Sequence, residues 1–202
     1  MLQKTTAPMY PRTRGLALSA LFAVLLSAFS LLTVPLPISP VPITLQVFMI
    51  FMIVNLLGSY YGTTSILLYL LLGVVGLPVF AGVSGGIAVL LGPTGGFLFA
   101  FPLCALFGGI ISGNFSQSRR TDAARVIAAC AISLLIIYLI GPLWLWFYEG
   151  GRMSLALAFS VGALPFIPFD IAKGVFAVPL VLYFRRTRND LPVHFHAKNA
   201  AV

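Results

Sequence analysis

The sequence predicts an all-α integral membrane protein of six transmembrane helices. Hydrophobic residues make up 60% of the 202-residue chain and charged residues only 8%, whereas a soluble domain carries about a quarter charged residues on its water-facing surface. The mean hydropathy is +1.06. The charges also lie in short segments between long apolar stretches, which is typical of proteins that cross a lipid bilayer. This distribution argues against nucleic acid as the partner, despite a formal net charge of +8.

Six apolar stretches approach the ~20 residues that a helix needs to cross the hydrocarbon core. They cover residues 15–34, 43–58, 60–76, 94–112, 124–147 and 155–184. Pro165 and Pro168 interrupt the last stretch, so its span is expected to begin near Phe169. The second and third are separated by a turn at Gly58 and Ser59 only. We therefore expect a terminal segment 1–14, a membrane domain 15–185 with irregular outer loops, and a tail 186–202.

The basic residues predict the orientation in the membrane. Ten of the 12 precede the first span, separate the fourth from the fifth, or follow the sixth: Lys4, Arg12, Arg14, Arg119, Arg120, Arg125, Arg185, Arg186, Arg188 and Lys198. With six spans these three segments share one side, and the opposite side carries only Arg152. Cytoplasmic segments of membrane proteins carry the excess of lysine and arginine. We therefore expect a multi-pass protein of the cell membrane with both termini in the cytoplasm.

Asp170 and Lys173 are the two charges that this arrangement places inside the bilayer region. A charge at the centre of a spanning helix costs about 2.5–3.5 kcal/mol, so such residues usually serve a binding or transport site. The two residues are three apart and share a helical face. They also follow Pro168 at the start of the last span, where free backbone N–H groups favour anions. The alternative is a structural ion pair that holds the last span against its neighbours.

Two outer connections are rich in proline or glycine and nearly free of charge, which predicts that they border a cavity. The first, residues 35–42, is followed by Thr44 and Gln46; the second covers residues 76–96. Together with the start of the last span they predict one outward-facing pocket for a small, mostly apolar molecule with a polar head. The candidate lining residues are Thr44, Gln46, Phe80, Gly82, Ser84, Gly85, Thr94, Phe97, Phe166, Phe169, Asp170 and Lys173. Tight turns and helix packing would also explain the glycines, and interhelical hydrogen bonds would explain Thr44 and Gln46.

Four motifs give the sequence a family resemblance. They are PVPITLQ at 40–46, YLLLGVVGLPVFAG at 69–82, LGPTGG at 91–96 and PFIPFDIAK at 165–173. Over residues 15 to 185 the chain resembles the BioY biotin transporters, the substrate-binding S components of energy-coupling-factor importers. It differs from that pattern at Phe169, where the family usually has glycine, and at Phe97, where tyrosine is expected.

The resemblance implies a six-helix S-component-like bundle that captures biotin from outside with high affinity. It implies that Asp170 and Lys173 contact the ligand and that the loop around residues 80–86 closes over it. No cofactor is implied, because biotin is the transported ligand. The implied partners are a membrane-embedded T component and ATPase subunits. Whether the chain acts alone, as a homo-oligomer or only with such a module stays open, as does another small vitamin as the ligand.

Small residues recur every four positions along the first span, at Gly15, Ser19, Ala23 and Ser27. Such a stripe permits close approach of another helix. S components that this chain resembles dock on their membrane partner through small residues of the first helix, so docking is the favoured interpretation. Packing inside the bundle is the alternative.

An enzyme is the competing class of protein. The GVSG run at 82–85 weakly resembles the nucleophile motif of intramembrane rhomboid proteases, but no histidine in any span offers a general base for Ser84. The GPTGG run at 92–96 lacks the Lys-Ser/Thr ending of a phosphate loop, so any ATPase would be another polypeptide. A passive channel would need continuous polar residues along its pore, and the spans have none. Cys104 and Cys130 lie in apolar stretches and suggest neither a disulfide nor a metal site.

Overall fold

The computed structural model describes residues 11–113, 116 and 118–187, and about three quarters of them are helical. The elements follow one another as α1 (Pro11–Ser30), β1 (Thr33–Val34), β2 (Ile43–Thr44), α2 (Gln46–Val74), α3 (Ile87–Leu90), α4 (Gly95–Leu103), a π-helical segment (Cys104–Gly108), α5 (Gly109–Ser112), α6 (Arg119–Tyr148), α7 (Leu155–Gly162) and α8 (Ile167–Thr187). The terminal segment 1–14 and the tail 186–202 lie mostly outside the described residues.

Helix α2 reverses direction at Gly58. This residue has φ 71° and ψ −168°, a backbone conformation that is not helical and that is essentially restricted to glycine. The Gln46 side chain donates a hydrogen bond to the Tyr69 hydroxyl at 2.6 Å, although an unbroken helix would separate the two residues by about 34 Å. The two arms of α2 therefore lie side by side and antiparallel, with the reversal where the sequence places its Gly58-Ser59 turn.

Five helices in the described part of the chain are long and apolar enough to cross a membrane: Arg12–Ser30, Gln46–Val74, Gly95–Ser112, Arg119–Tyr148 and Ile167–Thr187. Exposed apolar side chains such as Leu21, Val24 and Phe176 cover their outer faces, as expected where the solvent is lipid. The all-α, multi-pass membrane fold is confirmed. One of these five helices, α2, consists of two antiparallel arms that correspond to the second and third predicted spans. The count of six spans therefore stays a prediction.

The ends of several spans differ from the prediction. Helix α1 ends at Ser30 and not at 34, because Thr33 and Val34 form an antiparallel hairpin with Thr44 and Ile43, respectively. The fourth span is not uniform: α4 contains Pro102 and continues as a π-helical turn before α5. Proline lacks the N–H that continues an α-helical ladder, which explains a local change of hydrogen bonding here.

A buried polar cluster ties four elements together at one end of the bundle. The Arg185 guanidinium forms an ion pair with Asp122 at 2.8 Å and donates to the Asn55 carbonyl at 2.9 Å. It also donates to the Ser112 hydroxyl, which itself donates to Asn55 Oδ1 at 2.7 Å. Arg185 and Asp122 are both 0% exposed. This corrects the assignment of Arg185 to the charges that follow the last span, because α8 continues to Thr187 and buries this side chain.

The small residues of α1 face the bundle interior. Gly15 lies against the Tyr61 ring with no room for a Cβ atom, and the Ser19 hydroxyl donates to the Tyr61 carbonyl at 2.8 Å. Ala23 is buried and Ser27 is partly buried. This placement favours internal packing, and direct contact of these four residues with a partner subunit stays a prediction. It also brings the start of α1 to the end of the bundle that holds the Gly58 reversal.

Candidate ligand-binding site

A cavity of about 250 Å³ lies at the end of the bundle opposite the Arg185 cluster. This volume is close to the lower end of the ~300–1,000 Å³ typical of small-molecule pockets. The hairpin connection, the start of α2, the loop before α3, α4, the middle of α6 and the start of α8 all contribute to its wall. The wall is mainly apolar, with rings from Phe80, Phe97, Phe101 and Phe166. Such a cavity fits a small, largely apolar molecule.

Asp170 is the polar centre of this wall. Its Oδ1 accepts from Lys173 Nζ at 2.6 Å and its Oδ2 accepts from the Tyr138 hydroxyl at 2.6 Å. Asp170 is 2% exposed and Lys173 is 9% exposed. Residue 170 belongs to the first turn of α8, and the helix dipole stabilises a carboxylate there. Pro168 fits just before it, since the first turn leaves its N–H groups unpaired in any case.

The Asp170–Lys173 pair retains hydrogen-bonding capacity for a ligand. A carboxylate offers about four acceptor sites and an ammonium group three donors, and the contacts above use two of the former and one of the latter. Asp170 can therefore accept from ligand N–H groups while Lys173 donates to a ligand oxygen. Both interpretations of the pair, a ligand-binding site and a structural ion pair, are compatible with this geometry, because an ion pair that stabilises α8 can also face the cavity. The described residues contain no group of three or more metal-ligating side chains.

Gln46, at the start of α2, is a second polar group of the wall and is held in place by its neighbours. Its Oε1 accepts from the Thr44 hydroxyl at 2.9 Å, and its Nε2 donates to the Tyr69 hydroxyl at 2.6 Å. Thr44 Oγ1 also accepts from the Gln46 backbone N–H at 3.2 Å, satisfying one of the unpaired donors at the start of α2. The Gln46 amide retains one N–H, so it can donate to a ligand without losing its support.

The loop before α3 presents Phe80 and Ser84 to the cavity. The two residues pair through backbone hydrogen bonds at 2.9 and 3.3 Å, and the turn between them includes Gly82 and Val83 at φ 71° and 59°. Phe80 packs edge-on against Tyr69, with ring centroids 5.4 Å apart. The Ser84 hydroxyl donates to the Ala81 carbonyl at 2.7 Å. This hydroxyl is therefore engaged within its own turn, which is not the arrangement of an activated nucleophile.

The LGPTGG segment brings α4 close to α6. Gly96 lies against Trp144 with no room for a side chain, and Gly141 on α6 likewise accommodates the Phe97 ring. The Trp144 indole N–H donates to the Gly92 carbonyl at 2.9 Å. These contacts fix the position of Phe97 and Thr94 on the cavity wall, so helix packing accounts for Gly96 and for Gly141 of α6.

The structure brings nine of the twelve candidate lining residues to one cavity: Thr44, Gln46, Phe80, Ser84, Thr94, Phe97, Phe166, Asp170 and Lys173. Gly82 and Gly85 shape the loop and do not line the cavity, and a side chain at 85 would meet the backbone of residue 77. Phe169 is 48% exposed and also lies outside the lining. Their ligand contacts stay predictions without support from this placement.

Sequence reasoning missed Tyr138 and Tyr69, which position Asp170 and Gln46. Tyr138 is one aromatic residue within the apolar stretch 124–147, and Tyr69 lies within 60–76. Neither spacing nor charge distinguishes them from core residues. A signal is available only from the general expectation that a tyrosine hydroxyl inside a bilayer needs a hydrogen-bond partner.

The chain is similar to known proteins over nearly its whole length. Residues 2–190 match the model of the BioY family. A probable biotin transporter BioY from Pyrococcus horikoshii is 42% identical over 83% of this chain and 93% of its own length. The biotin transporter BioY of Thermotoga maritima is 40% identical over 76% of this chain and 86% of its own.

One solved structure is also similar, the crystal structure of the S-component for biotin from an ECF-type ABC transporter. It has a TM-score of 0.76 and 29% identity, covering 93% of this chain and 96% of that one. The match in fold is therefore as extensive as the match in sequence. Together these comparisons show that the chain belongs to the BioY family.

Proposed function

We propose that this protein captures biotin and takes it up across the cytoplasmic membrane, as the substrate-specificity subunit of an energy-coupling-factor transporter. The observation that carries this proposal is the Asp170–Lys173 pair in the wall of an otherwise apolar cavity. The relatives named as biotin transporters and the structure titled as an S-component for biotin supply the identity of the ligand.

Biotin has the chemistry that such a cavity accommodates. Its ureido ring offers two N–H donors, which suit the unused acceptor sites of Asp170. Its ureido carbonyl and its carboxylate are alternative acceptors for the Lys173 ammonium group, and the remaining Gln46 N–H is a further donor. The apolar ring sulfide and aliphatic chain fit among the phenylalanine rings. Another small vitamin is the second candidate, because the apolar walls alone do not determine the ligand.

Isothermal calorimetry on the detergent-purified protein tests this proposal. We expect tight, biotin-selective binding, with other vitamins giving no heat. Asp170→Asn keeps the size of the side chain but removes charge-assisted hydrogen bonds worth about 1.5–3 kcal/mol each, so affinity should fall at least about tenfold. Arg152→Gln removes a charge from an exposed outer segment and serves as the matched control. No heat with biotin from folded protein would refute the assignment.

The same proposal extends to topology and partners. The basic residues Arg12, Arg119 and Arg186 lie at the end of the bundle away from the cavity, which supports cytoplasmic termini and a cavity open to the outside. A green fluorescent protein fused after residue 202 should fluoresce in cells, since it folds in the cytoplasm. A fusion that does not fluoresce, together with an active alkaline phosphatase fusion at the same site, would show that the C-terminus lies outside and would refute the proposed orientation.

We propose a T component and ATPase subunits as the energising partners, with a homo-oligomer as the alternative. Co-expression with those subunits and purification through a tag on this chain tests the two arrangements. Recovery of a complex containing all subunits in fixed proportion is the expected result. A chain that elutes as an oligomer of itself and excludes the subunits would favour the alternative.

A further inference from the structure

A second groove, of about 550 Å³, lies between the start of α6 and the end of α8. Arg119 and Arg120 contribute from α6, and Arg186 contributes from α8. Tyr138 in the biotin cavity is 19 residues further along α6 than Arg119, which corresponds to about 28 Å. The groove therefore lies at the other end of the bundle and belongs to no part of the site described above.

The three arginines that line this groove are available to an anion. Within residues 11–113, 116 and 118–187 no carboxylate pairs with Arg119, Arg120 or Arg186. The Nε atom of Arg186 is buried and has no acceptor among these residues, in contrast to Arg185, which is paired with Asp122. A buried guanidinium N–H without an acceptor is costly, and an anion in the groove would relieve that cost.

The rest of the groove is apolar. Pro179, Leu182 and Tyr183 line it from α8, and they precede Arg186 by one to two helical turns. The groove is thus apolar towards the bilayer centre and basic at the end of the helices. Tyr183 is 62% exposed and lies one turn before Arg186 near the end of α8, and amphipathic rings are enriched near the ends of transmembrane helices. A molecule with an anionic headgroup followed by a hydrocarbon chain is complementary to this arrangement of basic and apolar residues.

We propose that this groove binds an anionic phospholipid, with its phosphate headgroup on Arg119, Arg120 and Arg186 and the first part of an acyl chain along α8. Arginine suits phosphate because its planar guanidinium donates two parallel hydrogen bonds. Basic pockets between transmembrane helices bind lipid headgroups in this way. Free phosphate would satisfy the same arginines but would leave the apolar wall without a partner.

Native mass spectrometry of the detergent-purified protein tests the proposal with two lipid probes. Phosphatidylglycerol and phosphatidylcholine of identical acyl chains are each titrated, and the fraction of lipid-bound protein is measured. Each arginine near an anionic lipid surface contributes roughly fivefold in affinity, so three together correspond to roughly a hundredfold. We expect phosphatidylglycerol to bind selectively and the triple variant R119Q/R120Q/R186Q to lose that selectivity.

The controls separate this site from general charge attraction. Arg186→Gln and Arg152→Gln each remove one positive charge, but only the former should weaken phosphatidylglycerol binding. Equal effects of the two substitutions, or a triple variant that retains selectivity, would overturn the proposal. So would displacement of the lipid by millimolar inorganic phosphate, because the site would then be one for soluble anions. Biotin binding to the triple variant, measured separately, reports whether the variant is folded.

Discussion

Replacement of Arg185 by methionine should strongly destabilise the protein without changing the biotin cavity. The substitution keeps an unbranched side chain but removes the ion pair with Asp122 and the bonds to the Asn55 carbonyl and the Ser112 hydroxyl. Asp122, which is 0% exposed, would then be a buried carboxylate without a counter-charge. Breaking a buried ion pair from one side costs about 3–5 kcal/mol.

This cost can be measured as a change in melting temperature. For a chain of this length, 1 kcal/mol corresponds to about 2–4 °C, so Arg185→Met should lower Tm by roughly 6–20 °C. Scanning fluorimetry in detergent gives the value. The double variant D122L/R185M removes both charges, and replacing a buried pair with apolar residues is often close to neutral. We therefore expect the double variant to regain most of the lost stability.

Two results would refute this reasoning. If Arg185→Met left Tm within about 2 °C of the parent, the cluster would not hold the helices together. If the double variant were as unstable as the single one, the loss would come from packing and not from an uncompensated charge. Biotin affinity at a temperature where each variant is folded should stay unchanged, because the cluster is at the opposite end of the bundle.

Three further predictions follow from the helix reversal and the cavity wall. Gly58→Ala should lower the free energy of unfolding by about 1–3 kcal/mol in a thermal unfolding assay, because alanine is strained in this backbone conformation. Gly174→Ala is the control, and it should be neutral or stabilising because its helix has space for a methyl group. Tyr138→Phe should weaken biotin binding in calorimetry by about tenfold through loss of a charge-assisted hydrogen bond; an unchanged affinity would contradict a positioning role. Phe169→Ala should change biotin affinity less than about threefold, because an exposed ring outside the cavity makes few contacts with a ligand. Phe80→Ala should reduce the affinity much more, because Phe80 lines the cavity. A larger effect of Phe169→Ala than of Phe80→Ala would contradict the described lining.

The sequence predicts those parts of the fold that depend on single residues or short segments. Gly58 separates two apolar stretches, and the structure reverses at that residue. Asp170 and Lys173 were recognisable because charges are rare in spans, and they lie together on the cavity wall. The proline-rich and glycine-rich connections were expected to border one cavity, and both contribute to it.

The parts that the sequence did not predict depend on contacts between distant residues. Asp122 and Arg185 are 63 positions apart, and each looks like an ordinary loop charge until α6 and α8 are packed together. The stripe from Gly15 to Ser27 shows that one face of α1 is small but not which neighbour that face meets. Tyr138 is similar, because its role depends on the position of Asp170 relative to α6.

The hydrogen bond from the Trp144 indole N–H to the Gly92 carbonyl provides an intrinsic fluorescence probe near the cavity. Gly92 lies in the short connection between α3 and α4, and the chain has two tryptophans, Trp144 and Trp146. Indole emission responds to the loss or gain of a hydrogen bond, so any movement of this segment on ligand entry would change the spectrum of Trp144. In a Trp146→Phe background, stopped-flow emission would follow opening and closing of the cavity in real time without an attached dye.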